Sequence, residues 1–126
     1  MFQTISTTQA PGAIGPYSQA VDLGSLVFLS GQIPLDPDTM EFVSDDVTEQ
    51  THQVMKNLKA VLKEADLDFS HVAKMNIYLA SMDDFAAVND VYAGYLKEPY
   101  PARAAVEVSR LPKGARVEIE AVAVRK

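Results

Sequence analysis

Two alternating runs joined by turn residues constrain this chain more than any other stretch. In Pro101 to Ala121, PARAAVEVSRLPKGARVEIEA, the segment Arg103 to Val108 puts Ala104, Val106 and Val108 on one side. Arg103, Ala105 and Glu107 fall on the other. Leu111-Pro-Lys-Gly114 has the composition of a turn. Val117 to Val124 alternates again, with Val117, Ile119, Ala121 and Ala123 on one face and Glu118 and Glu120 on the other. The spacing predicts a hairpin with an arginine near its start and two carboxylates on its second strand. Val122 and Val124 share the glutamates' face, so that face is not simply wet. The charges admit two readings. They are surface ion pairs, or they are a guanidinium fork and carboxylates that meet a ligand.

The rest of the chain supplies the partners such strands need. Gln3 to Ser6 reads as a short strand, and Ala10-Pro-Gly-Ala-Ile-Gly-Pro16 as a loop. Tyr17 to Leu23 and Leu26 to Ser30 read as strands turned at Gly24-Ser25. Leu26 to Leu29 is apolar on both faces, which predicts a central strand. Ile33 to Asp38, with two prolines, is a loop. Val47, Thr51, Val54, Met55, Leu58, Val61, Leu62 and Ala65 recur at helical steps behind an Asp46/Glu49 capping pair. Ala73 to Leu79 alternates as a strand. Ser81 caps a second helix with Phe85, Val88, Tyr92 and Leu96 on its apolar stripe. The fold expected is one α+β domain over residues 1–126, a mixed sheet of about six strands with two helices on one face. Two helices leave the second face uncovered, and its apolar residues predict self-association there.

Composition removes several function classes. The 126 residues carry a net charge of −6, which opposes binding to nucleic acid or anionic lipid. No apolar run approaches the ~20 residues of a membrane span, and the N-terminus has no signal-peptide pattern. The absence of cysteine excludes thiol catalysis and fits a cytoplasmic protein. His52 and His71 lack ligand spacing, and no phosphate or dinucleotide loop is present, so neither metal nor cofactor is expected.

PARAAVEVSRLPKGARVEIEA resembles the C-terminal signature of the reactive intermediate deaminase A family, also called RidA/YjgF. The likeness continues in Ala13-Ile-Gly-Pro-Tyr-Ser-Gln-Ala20, Ser30-Gly-Gln-Ile-Pro-Leu-Asp-Pro37 and Asp84-Phe-Ala-Ala-Val-Asn-Asp-Val-Tyr92. It implies a YjgF/chorismate-mutase-like fold, a homotrimer with clefts between subunits, and hydrolysis of 2-imino or enamine acids to 2-keto acids and ammonia. By that resemblance Arg103 clamps the substrate carboxylate, Glu118 handles water or a proton, and Tyr17 faces the substrate. Ser30, Gly31, Asn89 and Ala105 line the site. Relatives often carry Cys where this chain has Ala105; if the site uses only the backbone N–H there, little is lost beyond the packing of the thiol. Glu120 shares the face of Glu118 and is the weaker candidate. The alternative is a module with the same cleft that binds a keto acid or amino acid without turning it over. A ribonuclease role is also attached to the family, and the acidic balance here opposes it.

Overall fold

A computed structural model describes residues 1–125. Six strands form one mixed sheet: β1 (Gln3–Ile5), β2 (Ala20–Asp22), β3 (Leu26–Gln32), β4 (Val72–Leu79), β5 (Ala102–Glu107) and β6 (Val117–Val124). Their order across the sheet is β1-β2-β3-β6-β4-β5. Two helices, α1 (Val47–Glu64) and α2 (Phe85–Gly94), complete the α+β fold. The six strands and two helices expected are present and β3 is interior in the sheet order, but the strand expected over Tyr17 to Leu23 is shortened to Ala20–Asp22, and Ser81 caps a 3-10 turn (Met82–Asp84) that leads into α2 rather than α2 itself.

One expectation fails. β5 and β6 are not a hairpin, because β4 lies between them. β5 instead pairs parallel with β4, after a crossover through α2. β6 then inserts antiparallel between β3 and β4. The connecting segment passes over the end of β4, where Val108 N–H donates to the Leu79 carbonyl and Ala80 N–H to the Arg116 carbonyl. Lys113 and Gly114 turn it with φ of 58° and 75°. Turn residues at 111–114 marked a reversal correctly, but an open ladder on β4 decided which strand β6 met.

Alternation sets the two faces of the sheet. Val27, Leu29, Met75, Ile77, Leu79, Val117 and Ile119 are buried with Val54, Met55, Leu58 and Leu62 of α1 and Val88 of α2. The Asp46 carboxylate caps α1 by accepting from Glu49 N–H at 3.0 Å. On the other face Leu26, Phe28 and Val106 remain 37%, 43% and 46% exposed, an apolar surface that no element among the described residues covers.

Three buried amides fasten loops to this frame. Gln19 donates to the carbonyls of Thr7 and Pro11 and accepts from Thr7 N–H. Asn57 of α1 donates to the Ile33 and Leu35 carbonyls. Gln50 donates to Ser44 O and accepts from Arg116 N–H. Each satisfies backbone groups that would otherwise be buried unpaired.

Candidate functional site

β6 aims Glu118 and Glu120 at the open face, opposite the helices. A cavity of about 500 Å³ lies there, lined by both glutamates, Tyr17, Ser30 and Gly31. The β3–β6 register slips between Leu29↔Ala121 and Gln32↔Ile119, so Ser30 and Gly31 form a bulge at the cavity floor. Ser30 Oγ donates to the Ser18 carbonyl at 2.6 Å and keeps acceptor capacity toward the cavity. Gly31 lies directly under the Glu118 side chain. A Cβ built there would sit 2.1 Å from Glu118 Oε2 and 3.1 Å from its Cγ. The close approach expected of a ligand is thus made first by the Glu118 side chain.

Glu118 is half-buried, and desolvation raises its pKa, with the Glu120 charge adding to the rise. Glu120 is held by two donors: Asn76 Nδ2 at 2.9 Å and the Tyr78 hydroxyl at 3.0 Å, both on its Oε2. Burial followed by that carboxylate pushes the Tyr78 hydroxyl pKa up, so the phenol stays a donor. The sequence reading missed Asn76 and Tyr78. Their signal was present, since they alternate with Met75 and Ile77 and so fall on the face of the glutamates.

Arg103 is elsewhere. It pairs with Met75, a core residue, and so projects on the helix face of the edge strand β5. Its guanidinium lies 5.2 Å from the Tyr92 ring centroid and 5.3 Å from that of Phe85. Nη1 donates to Asn89 Oδ1 at 2.5 Å. Among the described residues no carboxylate forms an ion pair with it; Arg116 and Arg125 pair with Asp84 and Asp22. Arg103, Asn89, Tyr92, Tyr100 and Pro101 line a second depression of about 470 Å³. Ala105, two residues on, packs its methyl against the core.

The seven predicted residues therefore divide into two groups. Tyr17, Ser30, Gly31 and Glu118 share one cavity. Arg103 and Asn89 share the other, and Ala105 lies beside them on β5. The groups lie on opposite faces of the sheet with β4 between their strands, roughly 10 Å of strand spacing alone. The intramolecular ion pair between Arg103 and Glu118 or Glu120 is not formed.

His52 Nδ1 lies 3.0 Å from the Tyr95 hydroxyl, and His71 closes a capping box with Asp68. No cluster of three or more His, Asp or Glu among the described residues is arranged to hold a metal. No helix among them is long and apolar enough to cross a membrane.

Comparison with known proteins places this arrangement in a wider set. The family model described as Endoribonuclease L-PSP matches residues 7–125. The chain is 58% identical over 124 residues to Protein DfrA of Myxococcus xanthus, covering 97% of this chain and 95% of that protein. It is 50% identical over 123 residues to the 2-iminobutanoate/2-iminopropanoate deaminase of Homo sapiens, covering 98% and 90%. The crystal structure of E. coli TdcF with bound serine superposes with a TM-score of 0.94 at 46% identity, covering 98% and 99%.

Proposed function

The chain belongs to the Endoribonuclease L-PSP family, the RidA/YjgF family of its sequence resemblance, and on that premise we propose that it hydrolyses reactive 2-imino acids, or their enamine tautomers, to 2-keto acids and ammonia. In this reaction water oxygen bonds to C2, and the C–N bond breaks after the nitrogen has gained protons from the water. Arg103 holds the substrate carboxylate with its planar fork. Glu118 takes the proton from water and returns it to the nitrogen. Tyr17 and the backbone at Gly31 and Ala105 orient the imine, with Ser30 and Asn89 beside them. A carboxyl raised by burial exchanges protons nearer neutrality than an ordinary glutamate.

The observation that carries this reading is Arg103 itself. It is an exposed guanidinium pre-oriented by Asn89 and two aromatic rings, with no ion-pair carboxylate among the described residues of an acidic chain. That is the state of a fork kept free for a carboxylate ligand.

One chain does not bring Arg103 to Glu118, so the reading includes a homotrimer whose clefts join the Glu118 cavity of one subunit to the Arg103 depression of the next. The exposed Leu26, Phe28 and Val106 supply an apolar surface for such contacts. The serine bound to TdcF, a small molecule with an α-carboxylate and an amino group, is consistent with the substrate class. It also favours the second reading, a module that binds an amino acid without turnover. A ribonuclease role, named in the family description, fits less well, because Glu118 and Glu120 outnumber Lys113 in the cavity and the chain carries a net charge of −6, a poor match to a phosphate backbone.

The test uses 2-iminobutyrate generated in situ by a threonine dehydratase. Faster 2-ketobutyrate release in the presence of the protein is expected. An unchanged rate would sink the deaminase reading and leave the binding module.

A further inference from the structure

The proposed reaction leaves one wall of the Glu118 cavity without a task. Ile14, Ile33, Leu35 and Met40 line it, facing the same space as Tyr17 and Glu118. The space measures about 500 Å³ in one chain, and the neighbouring subunit of the proposed cleft would close part of it, leaving this wall for the tail of a ligand. The wall is fixed in place, since Asn57 holds the Ile33 and Leu35 carbonyls from α1. Ile14 is 67% exposed on the Ala10–Pro16 loop, an apolar side chain that its own chain leaves open to this space.

Met40 is the more informative member. Its φ is 58°, the left-handed region where a Cβ is sterically costly and glycine is at ease. The loop enforces it. Met40 N–H donates to the Asp36 carbonyl at 2.8 Å and Asp36 N–H to the Glu41 carbonyl at 2.9 Å. The Asp36 carboxylate accepts from Asp38 and Thr39 N–H. Glycine would serve the turn better. What methionine adds is a flexible, polarizable stem on the cavity wall.

We propose that Ile14, Ile33, Leu35 and Met40 form a side-chain subsite that favours 2-imino acids with unbranched aliphatic side chains of about three to four carbons over those of alanine size, with Met40 as a specificity-determining residue. This rests on the deaminase reading for its substrate class. The carboxylate and imine take the polar groups, and the hydrocarbon tail points along the apolar wall.

The experiment generates imino acids from alanine, 2-aminobutyrate, norvaline and norleucine with an amino-acid oxidase and catalase, and measures their hydrolysis by the protein. In parallel, the stable 2-keto acids of the same lengths are titrated by calorimetry. The wild type should gain about fourfold in kcat/KM per methylene. Met40→Gly, which relieves the backbone, should cut the ratio of longest to shortest substrate by about tenfold. Ile14→Ser, on an exposed loop, should cut it less and covers the case in which Met40→Gly fails to fold. A wild type that hydrolyses the shortest imine but gains nothing with length overturns the subsite and leaves the deaminase reading standing. So does a length preference that both variants retain. If no imine is hydrolysed, the deaminase reading fails. Keto-acid affinity that still rises with length and falls in Met40→Gly would then uphold the apolar subsite, and flat affinity would overturn it.

Discussion

The two halves of the candidate site are built in opposite ways. The Glu118 cavity is set into the interior of the sheet, on a bulge of β3, and its loops are tied down by Gln19 and Asn57. There the surroundings act against charge, and the carboxyl's pKa is raised. The Arg103 depression lies at the edge strand, where solvent and the faces of Phe85 and Tyr92 accommodate a permanent cation. Had β5 and β6 formed a hairpin, the guanidinium would stand beside the glutamates. Each would neutralise the other as a surface ion pair. Interposing β4, and using both faces, keeps a free fork and an uncompensated carboxyl in one small protein. The difference teaches that the separation itself keeps a free guanidinium and an uncompensated carboxyl; under the proposed reading, a substrate in a cleft between subunits would bring the two into one reaction.

The halves should respond differently to substitution. The largest effect is expected at Arg103. Under the proposed clamp, Arg103→Ala removes two charge-assisted hydrogen bonds to the ligand and should lower kcat/KM by on the order of 10²- to 10⁴-fold, with loss of keto-acid binding by calorimetry. Arg103→Lys should be impaired severely too, since an ammonium cannot form the fork. Retained binding in the alanine variant would remove the clamp. Glu118→Gln should lower the imine hydrolysis rate by at least about tenfold while keto-acid affinity changes little. Equal loss of binding would mean instead that Glu118 orients the ligand.

Gly31→Ala sharpens the same contrast with a smaller effect. The new methyl meets Glu118, not Arg103. The carboxylate end can swing aside, so a rate loss of roughly tenfold with near-normal binding is expected. A loss of binding in a calorimetric titration would show that the bulge, and not the carboxylate, was disturbed.

How much of this was legible beforehand follows from where each signal resides. The strand faces were legible because alternation is local: Val117, Ile119 and Ala121 inward, Glu118 and Glu120 outward. The helices were legible from apolar stripes such as Val54, Met55, Leu58 and Leu62. The partner of β6 was not, since the choice between β4 and β5 depends on which ladder is open after the α2 crossover, and no residue of 101–121 records it. The free state of Arg103 was hidden for the same reason. Asn76, Tyr78, Gln19 and Asn57 read as ordinary polar residues until pairing gave them Glu120 and the loop carbonyls. The departure of Gly31 from a purely ligand-facing role also needed the bulge.

The smallest expected effect is on stability. The Glu118 pKa is raised in the fold, so the folded chain holds that proton more tightly than the unfolded chain. Glu118 therefore costs nothing below its unfolded pKa and costs progressively more as pH rises through the folded one. Glu118→Gln should be as stable as the wild type in mild acid and more stable at neutral and alkaline pH, read from denaturant midpoints. A difference independent of pH would contradict the desolvation of this carboxyl.

The most direct measurement of the central claim mixes two inactive variants. Arg103→Ala keeps a sound Glu118 cavity, and Glu118→Gln keeps a sound Arg103 depression. If each working site joins the cavity of one copy to the depression of another, subunit exchange between the two, verified by native mass spectrometry, should restore activity at roughly one quarter of the sites. If both groups act within one chain, no mixed assembly holds an intact site. Exchanged oligomers as inactive as either parent would contradict the shared cleft.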